Sequence, residues 1–407
     1  MKRKIICIGI ISIFLLSGLS LNAAGINQKN ITAKGNTLYV DDDGGADFTN
    51  IQDAVDAASD GDVIYVYSGT YYENIVVDKS ITLKGEDKTS TVIDGGDNEN
   101  KAVISVQEDS VKVSNFKIQN GKYGIEIDKY PDVAVDITII NNFISENRKS
   151  GISLFNCRDI DIADNLINKN GEHGIFAKEC WLIIIDENVI EYNYLDGITN
   201  MIKEGNSNWC DFIQNIISNN NIRENHERGI DIWGKQNEIC FNNIVEHAHD
   251  ETNVGIKISG DENIIKGNLI EDNYLGLSLA EAIGDWEGPM NNEVYHNNFV
   301  DNIDHINAIN VGDNIFNKDY ENEGCGNYWS GYDGGDSKKG PEQNLIGSDG
   351  IGDTPINGDN YPWMNPNGEG VNNKVVSTPV IDFIENMLDN FDWPFPMLRV
   401  MLWALGK

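Results

Sequence analysis

Three groups of side chains in this sequence have the types and spacing that chemistry needs. The first is a set of rings and charges in the alternating runs that follow recurrent glycines: Phe155, Phe176 and Trp233 among Asp128, Lys178 and Asp231. Aromatic rings can stack on sugar faces while carboxylates and ammonium groups hydrogen-bond hydroxyl or uronate groups. Packing of the same rings beneath a covering loop is the competing reading. Lys178 between Asp128 and Asp231 also supplies the residue types of a proton-abstraction centre, in which a Lys can act as a base only where its pKa is lowered. Glycoside hydrolysis would instead need two carboxylates at a set separation, and so acidic a chain offers too many pairs for their number to point to one.

The second group is His226, His247 and His249, followed by Asp250 and Glu251. Imidazole nitrogen with nearby carboxylate suits Cu²⁺ or Zn²⁺, and the alternative is a set of surface loop histidines without metal. The third group is Asp333, Asp336, Asp349 and Asp353, set among glycines. Oxygen donors of this kind can converge on Ca²⁺ where glycine lets the backbone turn sharply, although no Glu closes an EF-hand loop begun at Asp349. An acidic turn without metal is the other possibility there.

The first two groups sit on a repeat. The pattern N-x-[IV]-x-x-N-x-x-x-G-I is written three times at a spacing of 23 residues, at Asn142, Asn147, Gly151 and Ile152, at Asn165, Asn170, Gly174 and Ile175, and at Asn188, Asn193, Gly197 and Ile198. Extended outward, the first Asn recurs at Asn115, Asn220, Asn242, Asn268 and Asn297, and the Gly at Gly124, Gly229, Gly255 and Gly276. Such a period points to a solenoid. After each glycine every second residue is aliphatic, as in Gly229-Ile230-Asp231-Ile232-Trp233, which is the alternation of a strand with one buried face. The expected fold is therefore all-β, a single-stranded right-handed parallel β-helix whose coils stack about 4.8 Å apart.

Stacking turns equivalent positions into columns. Asn side chains can hydrogen-bond along their column, and Gly and Asn tolerate left-handed corners. Alternation predicts two outward columns, one with Glu126, Ser153, Phe176, Thr199, Asp231, Lys257 and Ser278, the other with Asp128, Phe155, Lys178, Met201, Trp233, Ser259 and Ala280. Cys157 and Cys180 should stack in adjacent coils, as a thiol ladder or a disulfide. The coil from Gly197 to Gly229 spans 32 residues and contains Trp209 in its excess, either as a ligand wall or folded onto the sheet.

The two ends of the chain differ from the repeat. Residues 1–24 read as an export signal, with Lys2, Arg3 and Lys4 ahead of an apolar run and small residues near Ala23 and Ala24. The run is too short to span a bilayer, so an extracellular or cell-surface location is expected with no transmembrane span in the mature chain. The net charge of −35 argues against a nucleic-acid partner. Thr49 and Gln52 suggest a capping box at the start of a short N-terminal helix that covers the first coil. The solenoid is expected over 37–325, an acidic closing segment over 326–365, a linker over 366–379 and an amphipathic helical tail over 380–407, suited to capping the solenoid or docking a protein partner.

The string TLYVDDDGGADFTNIQDAVDAASDGDVIYVYSGTYYENIVVDKSITLKG from Thr37 closely resembles the start of the pectin-lyase-like β-helix superfamily. The N-x-[IV]…G-I units are similar to the repeats of its NosD-type branch, and GNYWSGYDGGD from Gly326, DGIGDTP from Asp349 and DNYPWM from Asp359 resemble the closing motif of exported, often archaeal, members. The resemblance covers roughly residues 37 to 365. It implies the fold and export, makes copper worth testing at the histidines, and implies for a lyase a basic proton acceptor with Ca²⁺-holding carboxylates. The polygalacturonase motifs N-T-D, G-H-G and R-I-K are absent. The expected function is binding of a polysaccharide or another cell-surface polymer on an outer sheet face, with a lyase or epimerase for acidic glycans and a copper-handling accessory protein as the alternatives.

Overall fold

A computed structural model of the chain describes residues 35–201, 212–247, 253–279, 289–308, 314–317, 326–340 and 342–366. The export signal of residues 1–24, Trp209, His249 and the helical tail of 380–407 lie outside the described residues. Among the described residues the chain winds as a right-handed parallel β-solenoid, with strands gathered into a 20-stranded and an 11-stranded sheet. Ladder pairs between successive coils are parallel and in register, as in Ile125↔Ile152, Ile152↔Ile175 and Ile175↔Ile198. No helix among these residues is long and apolar enough to cross a membrane.

The core is made of columns of like side chains. On the face formed by the smaller sheet, Ile118, Ile144, Ile167, Ile190, Ile222, Ile244 and Ile270 are fully buried, and the column continues through Phe299 to Trp329. The last two rings stack with centroids 4.5 Å apart. A β-branched side chain fits this site because its stiff rotamer repeats without loss from coil to coil, and each burial contributes about 1.5–3 kcal/mol.

Asparagine columns tie the corners together. From Asn142 the backbone N–H of each ladder Asn donates to the side-chain oxygen of the next, through Asn165, Asn188, Asn220, Asn242, Asn268, Asn297 and Asn327 to Asp359, at 2.6–3.0 Å. Asn115 does not belong to this column: Phe116 takes the place and donates its N–H to Asn142 Oδ1, because Lys117 pairs with Phe143. A second column runs Asn147, Asn170, Asn193, Asn225, and resumes at Asn273 and Asn302. A third, not apparent in the repeat, links Asn215, Asn237, Asn263, Asn292 and Asn314.

The left-handed corners are not where the column glycines of the repeat stand. The residue before the second Asn column has φ of 51–57° at Glu146, Lys169, Tyr192, Glu224, Glu246 and Asp272, at a cost of about 1–2 kcal/mol each. The Asn hydrogen bonds around each corner offset that cost. Glycine is required instead by close packing. A Cβ on Gly174 would lie 2.5 Å from Ile190 Cγ2 and 2.6 Å from the Gly197 carbonyl oxygen.

The helix Ile51–Ala57 buries Ile51, Ala54 and Val55 against the first strands. Thr49 and Gln52 do not form its cap. The Glu73 carboxylate, from a neighbouring coil, accepts the N–H groups of Ile51 and Gln52 at 2.8 and 2.9 Å, and a carboxylate there also suits the positive end of the helix dipole. Cys157 and Cys180 stack as expected and are free thiols, their sulfurs 3.2 Å apart in the core.

Candidate functional site

The predicted outer columns stand in register. Pairings run Glu126↔Ser153↔Phe176↔Thr199, then Thr199↔Asp231↔Lys257↔Ser278. In the second column Phe155 pairs with Lys178 and Lys178 with Met201. The face is less open than alternation alone implies: Ser153, Thr199 and Asp231 are at most 6 % exposed, and Phe155, Phe176, Lys178 and Trp233 are half-buried. Outward side chains only one coil apart shield one another. Burial also raises the Glu126 carboxyl above its usual range.

The rings do assemble. Phe155 and Phe176 have centroids 5.8 Å apart, and His173 stacks on Phe176 at 5.8 Å with planes 24° apart. Two coils along, Trp233 is fixed by Asn200, whose side-chain oxygen accepts the Trp233 N–H at 2.7 Å and whose amide donates to the Trp233 carbonyl at 2.8 Å. Lys257 Nζ lies 5.3 Å from the Trp233 ring centroid, a cation–π contact.

The proposed catalytic trio is spread out. Lys178 is separated from Asp128 by the Phe155 coil and from Asp231 by the Met201 coil, so each carboxylate is displaced by two coil spacings, about 10 Å. Asp128 accepts the N–H of Tyr130 at 3.0 Å. Asp231 accepts a hydrogen bond from Arg228 Nη1 at 2.7 Å.

Arg228 belongs to a polar group that alternation did not single out. Asp196 Oδ1 accepts the Arg228 N–H at 3.1 Å and lies 3.7 Å from Arg228 Nη1, and Asp196 Oδ2 is 3.3 Å from His173 Nδ1. His173, Asp196 and Arg228 each stand one place before a column glycine, and the backbone bonds Gly151 N–H to His173 O, Gly174 N–H to Asp196 O and Gly197 N–H to Arg228 O stack them. The signal was the column before the glycine rather than the one after it. Together with Phe176 the group offers a flat ring, an imidazole and fixed charges along one rim, the inventory that binds a polar cyclic ligand.

The metal candidates do not gather. His247 takes a place in the second Asn column and is fully buried, with Nδ1 3.4 Å from the Asn225 carbonyl, and burial lowers its pKa to about 4. His226 lies outside, stacked on Tyr194 at 5.2 Å. Copper therefore lacks a shared imidazole site in these two residues. In the closing segment Asp336, Asp349 and Asp353 each accept hydrogen bonds from the chain at both carboxylate oxygens. Asp336 accepts from Ser348 Oγ, Asp349 N and Gly350 N, Asp353 from Ser337 and Lys338, and Asp349 from Gly340 N and Gln343. Asp333 adds no ligand set to them: among the described residues the sole convergent group of three donors is Asp41, Asp42 and Asp43.

Comparison with known proteins agrees with this architecture. Residues 81–245 match the family described as right handed beta helix region, and residues 203–334 match the family described as periplasmic copper-binding protein (NosD). A cell surface glycoprotein of Methanothermus fervidus is 33 % identical over 340 residues, 70 % of this chain and 51 % of that protein. The chain thus spans about half the length of that relative. Among solved structures, an alginate lyase from Paenibacillus sp. str. FPU-7 is 15 % identical, covering 67 % of this chain and 99 % of its own, with a TM-score of 0.46. The Dettilon tailspike protein is 14 % identical, with 71 % and 70 % covered and a TM-score of 0.45. With its coils, Asn columns and closing motif in place, the chain is a NosD-type right-handed parallel β-helix repeat protein.

Proposed function

We propose that this is an exported cell-surface protein that binds carbohydrate, or another polymer of hydroxyl-rich rings, along the outer face carrying Phe155, Phe176 and Trp233. The carrying observation is the ring platform itself. His173, Phe176 and Phe155 form one contiguous aromatic strip, and Trp233 with Lys257 forms a second two coils away. Two stacking positions about 10 Å apart suit two sugars of one chain, with another between them, rather than a single small molecule. The Arg228 guanidinium, held by Asp231 and partly exposed, supplies a hydrogen-bond donor for hydroxyl groups beside them.

The cell-surface part of the proposal draws on the export-type sequence of residues 1–24 and on the name of the Methanothermus relative. In the same proposal, the helix Ile51–Ala57 shields the first coil and the tail of residues 380–407 docks a partner. A lyase or epimerase built on Lys178, Asp128 and Asp231 finds no support in their two-coil separation.

A glycan array probed with the protein and with Phe176→Ala and Trp233→Ala variants tests the proposal. Binding of one glycan class is expected, and each variant should weaken it about tenfold, the loss of one stacking contact. No glycan retained by the parent protein, or equal retention by all three, would sink it.

A further inference from the structure

A groove on another part of the surface is left unused by this reading. It is a shallow, open groove of about 1070 Å³ that follows the corner after the smaller sheet through successive coils. The left-handed corner position supplies Tyr192, Glu224, Glu246 and Asp272 to its lining, and two residues beyond that position stand Tyr194 and His226.

Tyr194 and His226 form a stacked pair, planes 19° apart, and both are exposed, Tyr194 by 63 %. The two rings, stacked on one another from adjacent coils, present an apolar ridge that the described chain does not cover. Its position is rigid. The N–H of Tyr194 donates to Asn170 O at 3.0 Å and that of His226 to Asn193 O at 2.9 Å, so the Asn column sets the ring spacing.

The charge beside the ridge is one-sided. Glu224 accepts the Tyr192 hydroxyl at 2.7 Å. Glu246 and Asp272 follow in the next two coils, and Lys169 is the one cation among the lining residues. Glu271 nearby has its carboxyl raised, first by burial and then by Asp272, Asp301 and Glu246, as expected where negative charge accumulates. Such a groove repels a uronate and attracts a protonated amine.

We propose that this groove is a saccharide subsite selective for amino sugars, in which a pyranose ring packs against the stacked Tyr194–His226 pair and its ammonium group meets Glu246 and Asp272. It is independent of the ring face on the large sheet, since none of its residues belongs to that face. A neutral sugar would satisfy the rings but leave the carboxylates unanswered, and a polyamine would do the reverse. Only an amine carried on a pyranose uses both.

Calorimetric titration of the full chain in mildly acidic buffer provides the test, with the glucosamine tetramer, its N-acetylated counterpart and the galacturonate tetramer as probes. The glucosamine tetramer should bind at least about tenfold more tightly than the N-acetylated one, and galacturonate should give no heat. Tyr194→Ala, an exposed site whose change preserves both fold and net charge, should weaken glucosamine binding about tenfold. Glu246→Gln should weaken it while sparing the N-acetylated tetramer. No binding of the glucosamine tetramer, binding indifferent to Tyr194→Ala, or equal affinity for either comparison tetramer would overturn the subsite. Sensitivity to Phe176→Ala without sensitivity to Tyr194→Ala would also overturn it, by moving the ligand to the ring face.

Discussion

Asp359 accepts the backbone N–H of Asn327 at 2.6 Å, so the long column of amides ends on an acid. The same carboxylate accepts Trp329 Nε1–H at 3.0 Å and the Tyr361 N–H at 2.9 Å, and it is fully buried. Burial pushes its pKa up to about 7, against these donors, which act to lower it. Below the unfolded pKa the folded state gains from holding the proton. That contribution is lost as pH rises from about 4 through about 7, over which the native state binds more protons than the unfolded one.

Asp359→Asn cannot ionise and removes this slope. It also sets an amide group against one of the present donors, which adds a penalty that does not vary with pH. The stability of the variant relative to the parent should therefore rise with pH between about 4 and 7, by up to about 4 kcal/mol. Urea midpoints across that range check it, and a difference that is flat in pH would refute the assignment.

His247 carries the opposite linkage. Its neutral ring is buried between Asn225 and Asn273, and burial holds its pKa at about 4 against an ordinary 6.5. The stability it contributes is present above about 6.5 and lost as pH falls toward about 4, where the unfolded state takes up the proton first. His247→Asn restores the column and should protect the protein by about 3 kcal/mol more at the acid end than at neutral pH. Because Asp359 and His247 tilt stability in opposite senses over an overlapping window, each single variant should show a steeper pH profile than the parent. Equal profiles for parent and His247→Asn would count against this.

The coil was legible because parallel stacking repeats each residue's surroundings at a fixed interval, so Asn142, Asn165 and Asn188 announce one another. For the same reason the outward columns from Glu126 to Ser278 fall where alternation puts them. Contacts between columns were not legible. The His173–Asp196–Arg228 group spans three coils on the far side of the glycine, and the Glu73 cap on Ile51 reaches across coils without a local motif. The third Asn column escaped notice because it begins only at Asn215, inside the long coil, and takes the N–H of Ile183 rather than of another Asn. His247 looked like a surface ligand because its residue type suggested metal, whereas its place in the Asn column dictates burial.

Gly174 tests the claim that its column exists for close packing. Its backbone angles suit any residue, yet the 2.5 Å and 2.6 Å approaches leave no space for a methyl group. Gly174→Ala should destabilise the fold by about 1–3 kcal/mol, although alanine lowers the entropy of the unfolded chain. A neutral or stabilising result in urea unfolding would show that the coil spacing yields to one added carbon.

Arg228 holds two nearly buried carboxylates, and its removal should be felt through both. Nη1 is 2.7 Å from Asp231 and 3.7 Å from Asp196, whose side chains are 7 % and 3 % exposed. Arg228→Ala leaves them one coil apart with less compensation, and the partial exposure of the guanidinium limits the cost to about 2–3 kcal/mol rather than the larger penalty of a fully buried pair. If the charge of Asp231 is the burden, Asp231→Asn introduced into Arg228→Ala should recover about 1–2 kcal/mol, although the same change alone is destabilising. The double-mutant cycle in urea is the measurement. Simple additivity would mean that Arg228 acts through its packing on the rim of the ring face and not through its charge.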